Sequence, residues 1–201
     1  MAEEFGAEYW EARYQRHGAH GSHPPSPQLV AEAGQLAPGT ALDAGCGEGS
    51  NALWLAEHGW HVTAVDVSLT ALRRARERAN THAADVADRL DWVLADLTVW
   101  EPPREHFDLV TAHYVHPAGS RQVFLARLGA AVAPGGTLFV VEHDHPDENA
   151  SAHSSPDQLA AALDSDGWEI EVAESRVRRD TDTHGHEITL HDAVLRARKR
   201  S

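Results

Sequence analysis

Short apolar runs alternate with amphipathic segments along most of the chain, and each apolar run is bounded by turn-forming residues. This pattern predicts short strands separated by helices. The predicted strands are 41–44, 61–66, 90–94, 107–112 and 137–142, followed by two longer ones at 169–176 and 187–196. The predicted helices are 51–58, 68–81, 120–132 and 156–163.

This order of elements favours the α/β fold class. Strand–helix alternation implies parallel strands with right-handed crossovers and helices on both faces of the sheet. The last two strands are joined by a polar turn with no helix, so they must be antiparallel. We therefore expect a doubly wound, Rossmann-like, mostly parallel sheet that binds its ligand beyond the carboxyl ends of the strands.

The stretch 18–27 is the strongest cluster of breaker residues, rich in glycine, histidine, proline and serine. It predicts a boundary between an N-terminal helix with a flexible lid loop, 1–27, and the core, 28–201. A length of 201 residues suits a single domain overall.

Charge and composition exclude several classes of protein. The 31 acidic residues outnumber the 17 basic ones and give a net charge of −14, which argues against a nucleic-acid partner. A single cysteine, Cys46, excludes an internal disulfide framework. No apolar stretch is long enough for a membrane span, and the acidic N-terminus is unlike a signal peptide, so we expect a cytoplasmic protein. A charged face on the helix 68–81 is expected to be exposed; it contains Arg73, Arg74, Arg76 and Arg78.

A glycine-rich loop, Gly45-Cys46-Gly47-Glu48-Gly49, joins the first strand to the next helix. Glycine lets the backbone approach a ligand closely. The spacing is one residue shorter than the Gly-x-Gly-x-x-Gly of dinucleotide-binding folds, and Glu48 places a negative charge where a diphosphate would lie. Both departures favour a ligand that carries a carboxylate, an ammonium and a sulfonium.

Two acids follow the next two strands. Asp66 ends the second strand, where a carboxylate can accept both hydroxyls of a ribose. Asp96 follows the third strand, where it can accept a hydrogen from the N6 of adenine. The glycine loop and the two acids appear in order, each at the carboxyl end of a strand, and this combination indicates one nucleoside-binding site.

These motifs, with the segment 107–110 and Pro134-Gly135-Gly136, resemble the class I S-adenosylmethionine-dependent methyltransferase family. The resemblance covers about residues 9–139 and implies the strand order 3-2-1-4-5-7-6. It implies S-adenosylmethionine as cofactor, with Asp43 and Gly45 at its methionine part, Asp66 at the ribose, and Asp96 with Leu97 at the adenine. Gly47 and Val67 complete this set of candidate residues.

The short length and the opening Tyr9-Trp10-x-x-Arg13-Tyr14 further resemble the compact group that contains thiopurine and tellurite-resistance methyltransferases. In that group an N-terminal helix folds over the cofactor. The resemblance therefore implies a lid helix in which Tyr9, Trp10 and Tyr14 are candidates for cofactor contact, although aromatic residues on such a helix also serve as docking contacts.

Histidines cluster after the fourth and fifth strands, in His113-Tyr114-Val115-His116 and His143-Asp144-His145. If these strands are neighbours, the four imidazoles gather near the reacting methyl group. Three interpretations stay open: polar loop residues, a general base or acceptor-orienting group, and a divalent metal site. The candidate catalytic residues are His113, Tyr114 and His143; the candidate metal ligands are His116, His143 and His145, with Glu142 or Asp144.

The favoured function is methyl transfer from S-adenosylmethionine to an O, N or S atom of a small molecule. Two alternatives come from other classes. One is a nicotinamide-dependent oxidoreductase, which the short glycine spacing and the lack of a Tyr-x-x-x-Lys pair oppose. The other is a module that binds S-adenosylmethionine without catalysis. The sequence indicates neither the acceptor nor the oligomeric state.

Overall fold

The computed structural model is an α/β sandwich whose central sheet has seven strands in the order β3-β2-β1-β4-β5-β7-β6. It describes residues 6–16, 24–81, 84–117, 119–144, 154–181 and 186–201. The strands are β1 (Thr40–Ala44), β2 (His61–Asp66), β3 (Leu90–Leu94), β4 (Phe107–His113), β5 (Val132–His143), β6 (Trp168–Thr181) and β7 (Glu187–Lys199). The helices are α1 (Ala7–Arg16), α2 (Pro27–Ala33), α3 (Ser50–Glu57), α4 (Leu69–Thr81), α5 (Ala84–Ala87), α6 (Arg121–Ala131) and α7 (Pro156–Ala161).

The first five strands are parallel to one another, and β7 runs antiparallel to both of its neighbours, β5 and β6. The predicted fold class, strand order and antiparallel last strand are confirmed. The parallel strands bring the loops after β1, β2, β3, β4 and β5 to one edge of the sheet.

Side chains on both faces of the sheet are buried, which explains why the strands read as continuous apolar runs. In β1, Ala41 packs into one core with α2 and α3, whereas the next residue, Leu42, packs into the other core with α6 and α7. Successive residues of a strand point to opposite faces, so neighbouring apolar residues serve two cores.

Several elements differ from the prediction, among them the short helix α5, which was not predicted. The helix α2 was missed because its seven residues follow directly on the breaker cluster; Pro27 stands in its first turn, where a proline is tolerated. The strand β5 begins at Val132, five residues earlier than predicted, because Pro134-Gly135-Gly136 continues the strand through a register shift against β4. The hairpin strands β6 and β7 are each several residues longer than predicted.

Part of the predicted lid loop, residues 17–23, lies outside the described residues. Across the described parts of the chain, none of the helices is both long enough and apolar enough to cross a bilayer.

Candidate active site at the carboxyl edge of the sheet

A cavity of about 830 Å³ lies between α1 and the carboxyl edge of the parallel strands. At one end, which we call the glycine-loop end, it is lined by Gly45–Glu48, Asp66, Val67 and Asp96–Thr98. At the other, which we call the imidazole end, it is lined by His113–Pro117, His143, Arg178 and Arg179. Helix α1 and residues 24–27 close the cavity from the N-terminal side.

The glycine loop has a backbone conformation that side chains would obstruct. Gly45 and Gly47 have φ angles of +75° and +55°, in the left-handed region. A Cβ on Gly45 would lie 2.5 Å from a methyl carbon of Val115, and one on Gly47 would lie 2.7 Å from the hydroxyl oxygen of Tyr14. The loop backbone is therefore pressed between the segment after β4 and helix α1.

Asp66 connects this loop to the end of β2. Its Oδ2 accepts a hydrogen bond from the backbone N–H of Gly47 at 2.8 Å, and its Oδ1 accepts one from the N–H of Ser68 at 2.8 Å. Burial raises the pKa of Asp66, and the hydrogen bonds from Ser68 and Gly47 oppose that rise. Each carboxylate oxygen can accept a second hydrogen bond, so Asp66 can hold the loop and bind a ligand at the same time.

Asp96 is held by its own turn. Its Oδ1 accepts hydrogen bonds from the backbone N–H and the hydroxyl of Thr98, at 2.8 and 2.7 Å. Together with Leu97 it lines the cavity beside Asp66. The acids predicted at the ends of the second and third strands therefore share one wall.

Asp43 differs from the other predicted cofactor residues because it does not line the cavity. It is 1 % exposed beneath the loop, and burial raises its pKa to about 7, with the charge of Asp66 adding to the rise. Within the part of the chain that the structure describes, its Oδ2 has no hydrogen-bond partner.

The charge of Glu48 is compensated, which sequence reasoning missed. Arg74 of α4 forms an ion pair with Glu48 at 2.8 Å, and Arg78 donates to the Glu48 carbonyl at 3.3 Å. Two arginines that were predicted to lie on an exposed face therefore support the glycine loop, and that prediction was wrong for them. Glu48 consequently gives a weaker argument against a diphosphate than its charge alone suggested.

Helix α1 is fastened over the cavity by Glu11, which the sequence analysis did not single out. Its carboxylate accepts hydrogen bonds from the hydroxyls of Ser68 (2.6 Å) and Thr70 (2.5 Å) and from the Thr70 N–H (3.1 Å). The hydrogen bonds from Ser68 and then Thr70 lower the pKa of Glu11 to about 2. An acid here caps the start of α4, although it comes from another helix.

The predicted lid aromatics divide into two groups. Trp10 and Tyr14 line the cavity, and the Trp10 ring stacks on His116 with a 6.2 Å centroid distance and a 9° interplanar angle. Tyr9 is not among the lining residues and instead packs edge-on against Trp10 at 5.3 Å.

The histidines of the imidazole end have different surroundings. His113 is buried against Phe139, and burial lowers its pKa to about 3, so its ring is neutral at pH 7. The side chain of His143 is 34 % exposed and stacks on Tyr114 at 4.5 Å, with His116 6.5 Å away on a similar plane.

The predicted metal site gains no support. Among the described residues no group of three histidine, cysteine, aspartate or glutamate side chains could hold a metal ion, so His116 and His143 do not form one with their described neighbours. The third candidate ligand, His145, lies outside the described residues.

Asp192 of β7 is a buried acid at this end that the sequence analysis missed. Its Oδ2 accepts hydrogen bonds from the Tyr114 hydroxyl (3.0 Å), from Nε of Arg178 (3.0 Å) and from the amide of Gln28 (3.3 Å). Its Oδ1 lies 3.9 Å from Nδ1 of His143. An aspartate directly before the apolar run Ala193-Val194-Leu195 was the available signal, because a charge inside a buried strand requires partners.

The methyltransferase-domain family matches residues 41–136. An uncharacterized methyltransferase of Mycobacterium bovis is 41% identical over 102 residues, which cover 50% of this chain and 48% of that protein. The trans-aconitate 2-methyltransferase of Paracidovorax citrulli is 33% identical over 141 residues, which cover 68% and 50%.

The chain spans about half the length of these curated relatives. A solved structure from a study of how a disulfide bond is converted into a thioacetal group in echinomycin biosynthesis superposes with a TM-score of 0.74 and 25% identity. That superposition covers 96% of this chain and 91% of the other.

Proposed function

We propose that this chain, whose residues 41–136 match the methyltransferase-domain family, is a class I S-adenosylmethionine-dependent methyltransferase that transfers a methyl group from S-adenosylmethionine to a small molecule. One observation carries the proposal: a single cavity has nucleoside-binding features at its glycine-loop end and ionisable side chains at its imidazole end. An oxidoreductase would need a loop that cradles a diphosphate, and the Gly-x-Gly-x-Gly spacing here is one residue shorter than that of dinucleotide-binding folds.

The residues present fit S-adenosylmethionine. The buried Oδ2 of Asp43, at the base of the loop, has no partner among the described residues, and such an oxygen favours a cationic ligand nearby. Gly45 and Gly47 line the cavity and carry no side chains themselves, so a ligand can approach their backbone from the cavity side. The raised pKa of Asp66 likewise favours a ligand that donates hydrogen bonds to its carboxylate.

We assign the binding roles as follows. Gly45 and Gly47 line the wall against the methionine part, and Asp43, beneath the loop, favours its positive charge. Asp66 and Val67 hold the ribose, and Asp96 and Leu97 hold the adenine. Trp10 and Tyr14 cover the ligand from α1.

Methyl transfer requires alignment and exclusion of water more than proton transfer, because the sulfonium supplies a methyl group that is already electrophilic. A base is needed when the acceptor carries a proton on the attacking atom. His143 suits this role better than His113, because it is partly exposed in the cavity, whereas the buried ring of His113 has a pKa of about 3 and little basicity. His113 and Tyr114 then shape the wall on which the acceptor rests.

Calorimetric titration with S-adenosylmethionine, S-adenosylhomocysteine and NAD tests the cofactor. We expect micromolar binding of the first two and none of NAD. Binding of NAD alone would contradict the proposal.

A methylation screen over thiols, phenols, amines and carboxylic acids, trans-aconitate among them, tests catalysis and the acceptor. The His143→Ala variant is screened in parallel. Cofactor binding without transfer to any acceptor class would favour a binding module.

A further inference from the structure

Asp192 lies at the meeting point of four elements. Its carboxylate accepts hydrogen bonds from Tyr114 after β4, Arg178 of β6 and Gln28 of α2. Its Oδ1 lies 3.9 Å from Nδ1 of His143 at the end of β5. Asp192 is fully buried and does not itself line the cavity, whereas Tyr114, His143 and Arg178 all do.

The partners of Asp192 differ from those of a buried acid that forms only ion pairs. The chain offers a comparison in Glu32 of α2, another buried acid, which pairs with Arg176 and Arg196 at 2.5 and 2.6 Å. Arg176 and Arg196 lie on β6 and β7, the strands that also carry Arg178 and Asp192. Neither these two arginines nor Glu32 lines the cavity. The carboxylate of Asp192 is therefore distinguished by its tyrosine and histidine neighbours and by its place behind the cavity wall.

Tyr114 supports the same conclusion through its backbone. It has a φ of +54°, a conformation that costs a non-glycine residue energy and persists only where its surroundings impose it. Its ring is fixed on one face by the Arg178 guanidinium, 5.4 Å from the ring centroid, and by His143 at 4.5 Å. Its hydroxyl is fixed by Asp192.

We propose that Asp192 is a positioning residue of the acceptor site, which orients Tyr114, Arg178 and the His143 ring as one unit. This inference rests on the proposed function. With Nδ1 facing Asp192, Nε2 of His143 can face the acceptor. The acceptor atom bonds to the methyl carbon as the carbon–sulfur bond breaks, and the electron pair of that bond stays with S-adenosylhomocysteine. The proton on the acceptor atom passes to His143. His143 then returns the proton to solvent.

The charges around His143 set the sign of the expected effect. Asp192 from β7 is the acid that faces it, Arg178 from β6 is the cation, and Tyr114 and His116 come from the segment after β4. Removing the charge of Asp192 leaves the Arg178 guanidinium uncompensated beside the ring. The imidazolium form of His143 is then disfavoured.

The test is an NMR titration of ¹³C-labelled histidine in the protein saturated with S-adenosylhomocysteine, with His143→Gln used to assign the signal. We expect Asp192→Asn to move the His143 midpoint to lower pH by at least about 0.5 unit. Glu32→Gln removes a buried acid with two arginine partners and should leave that midpoint unchanged. An unchanged midpoint in Asp192→Asn, or an equal shift in both variants, overturns the proposal.

Tyr114→Phe provides a second variant in case Asp192→Asn does not fold. It removes one hydrogen bond from Asp192 and leaves more of the carboxylate charge to His143, so the midpoint should move to higher pH; no movement overturns the proposal. Calorimetry on the same samples separates the two claims. If the unmodified protein does not bind S-adenosylhomocysteine, the proposed function is refuted. If it binds and the titration midpoint of His143 does not move in the variants, only the role of Asp192 is refuted.

Discussion

Replacing Asp66 with asparagine tests the glycine-loop end most directly. The carboxylate accepts hydrogen bonds from the backbone N–H groups of Gly47 and Ser68, both at 2.8 Å. An asparagine keeps one oxygen and turns an N–H group toward the other donor. One of the two backbone bonds is therefore lost, and so is one acceptor for a ribose hydroxyl.

The size of the effect follows from those bonds. A hydrogen bond to a charged group contributes about 1.5–3 kcal/mol, so Asp66→Asn should weaken binding of S-adenosylmethionine roughly 10- to 100-fold. The stability of the ligand-free protein should change less. Burial raises the pKa of Asp66, which means that its charge is unfavourable when no ligand donates to it.

Asp108→Asn is the matched control, because Asp108 accepts similar bonds at the opposite edge of the sheet. Its Oδ2 accepts from the N–H and the hydroxyl of Thr40, at 2.8 and 2.9 Å. Calorimetry with S-adenosylhomocysteine, and thermal unfolding without it, measure both variants. The assignment of Asp66 is refuted if Asp66→Asn binds within about twofold of the unmodified protein, or if Asp108→Asn weakens binding as much.

Three further predictions concern the loop and its cover. Gly47→Ala places a Cβ 2.7 Å from the Tyr14 hydroxyl at a φ of +55°, so the thermal midpoint and the ligand affinity should both fall; an unchanged affinity would contradict the close approach of α1. Glu11→Gln should raise the off-rate of S-adenosylhomocysteine several-fold in stopped flow, because the carboxylate charge that holds α1 against α4 is lost. In the unmodified protein, Glu11 should lose this charge only near pH 2. Asp43 has a folded pKa raised to about 7, so the stability that comes from its protonated form is present below about pH 4 and declines as pH rises to 7. In urea unfolding without ligand, Asp43→Asn should accordingly gain stability relative to the unmodified protein between pH 5 and pH 8, and a difference that does not vary with pH would refute the raised pKa.

The sequence could place Asp66, Asp96 and the glycines at one edge of the sheet for a physical reason. In a parallel sheet the carboxyl ends of neighbouring strands converge on one edge, so residues distant in the chain become neighbours once the strands are placed. Asp66 and Asp96 needed only correct strand ends to be brought to one wall. The glycines needed only the turn after β1, where a side chain would meet Val115 or Tyr14.

Contacts between side chains of separate elements were not predictable in the same way. The capping of α4 by Glu11 depends on where α1 lies, and no pattern within α1 specifies that position. The ion pair between Glu48 and Arg74 was likewise not predictable. From the sequence, the charge of Glu48 was expected to be unfavourable beside a diphosphate and Arg74 was expected to be exposed. His113 and His143 are each the last residue of adjacent strands, yet His113 is buried and the side chain of His143 is 34 % exposed.

The register of β7 against β5 determines which side chains meet at the imidazole end, and therefore bears on the choice of acceptor. Since β7 runs against β5, Asp192 pairs with His143, the last residue of β5, while Arg178 reaches Asp192 from β6. The imidazole end is thus lined by residues at the ends of β4 and β5 and by Arg178 and Arg179 of the terminal hairpin, whereas the glycine-loop end is lined by residues that follow β1, β2 and β3. Substitutions in the hairpin near Asp192 should therefore change which acceptor is used while S-adenosylhomocysteine affinity stays constant, because the two ends share a cavity but depend on different strands for their support.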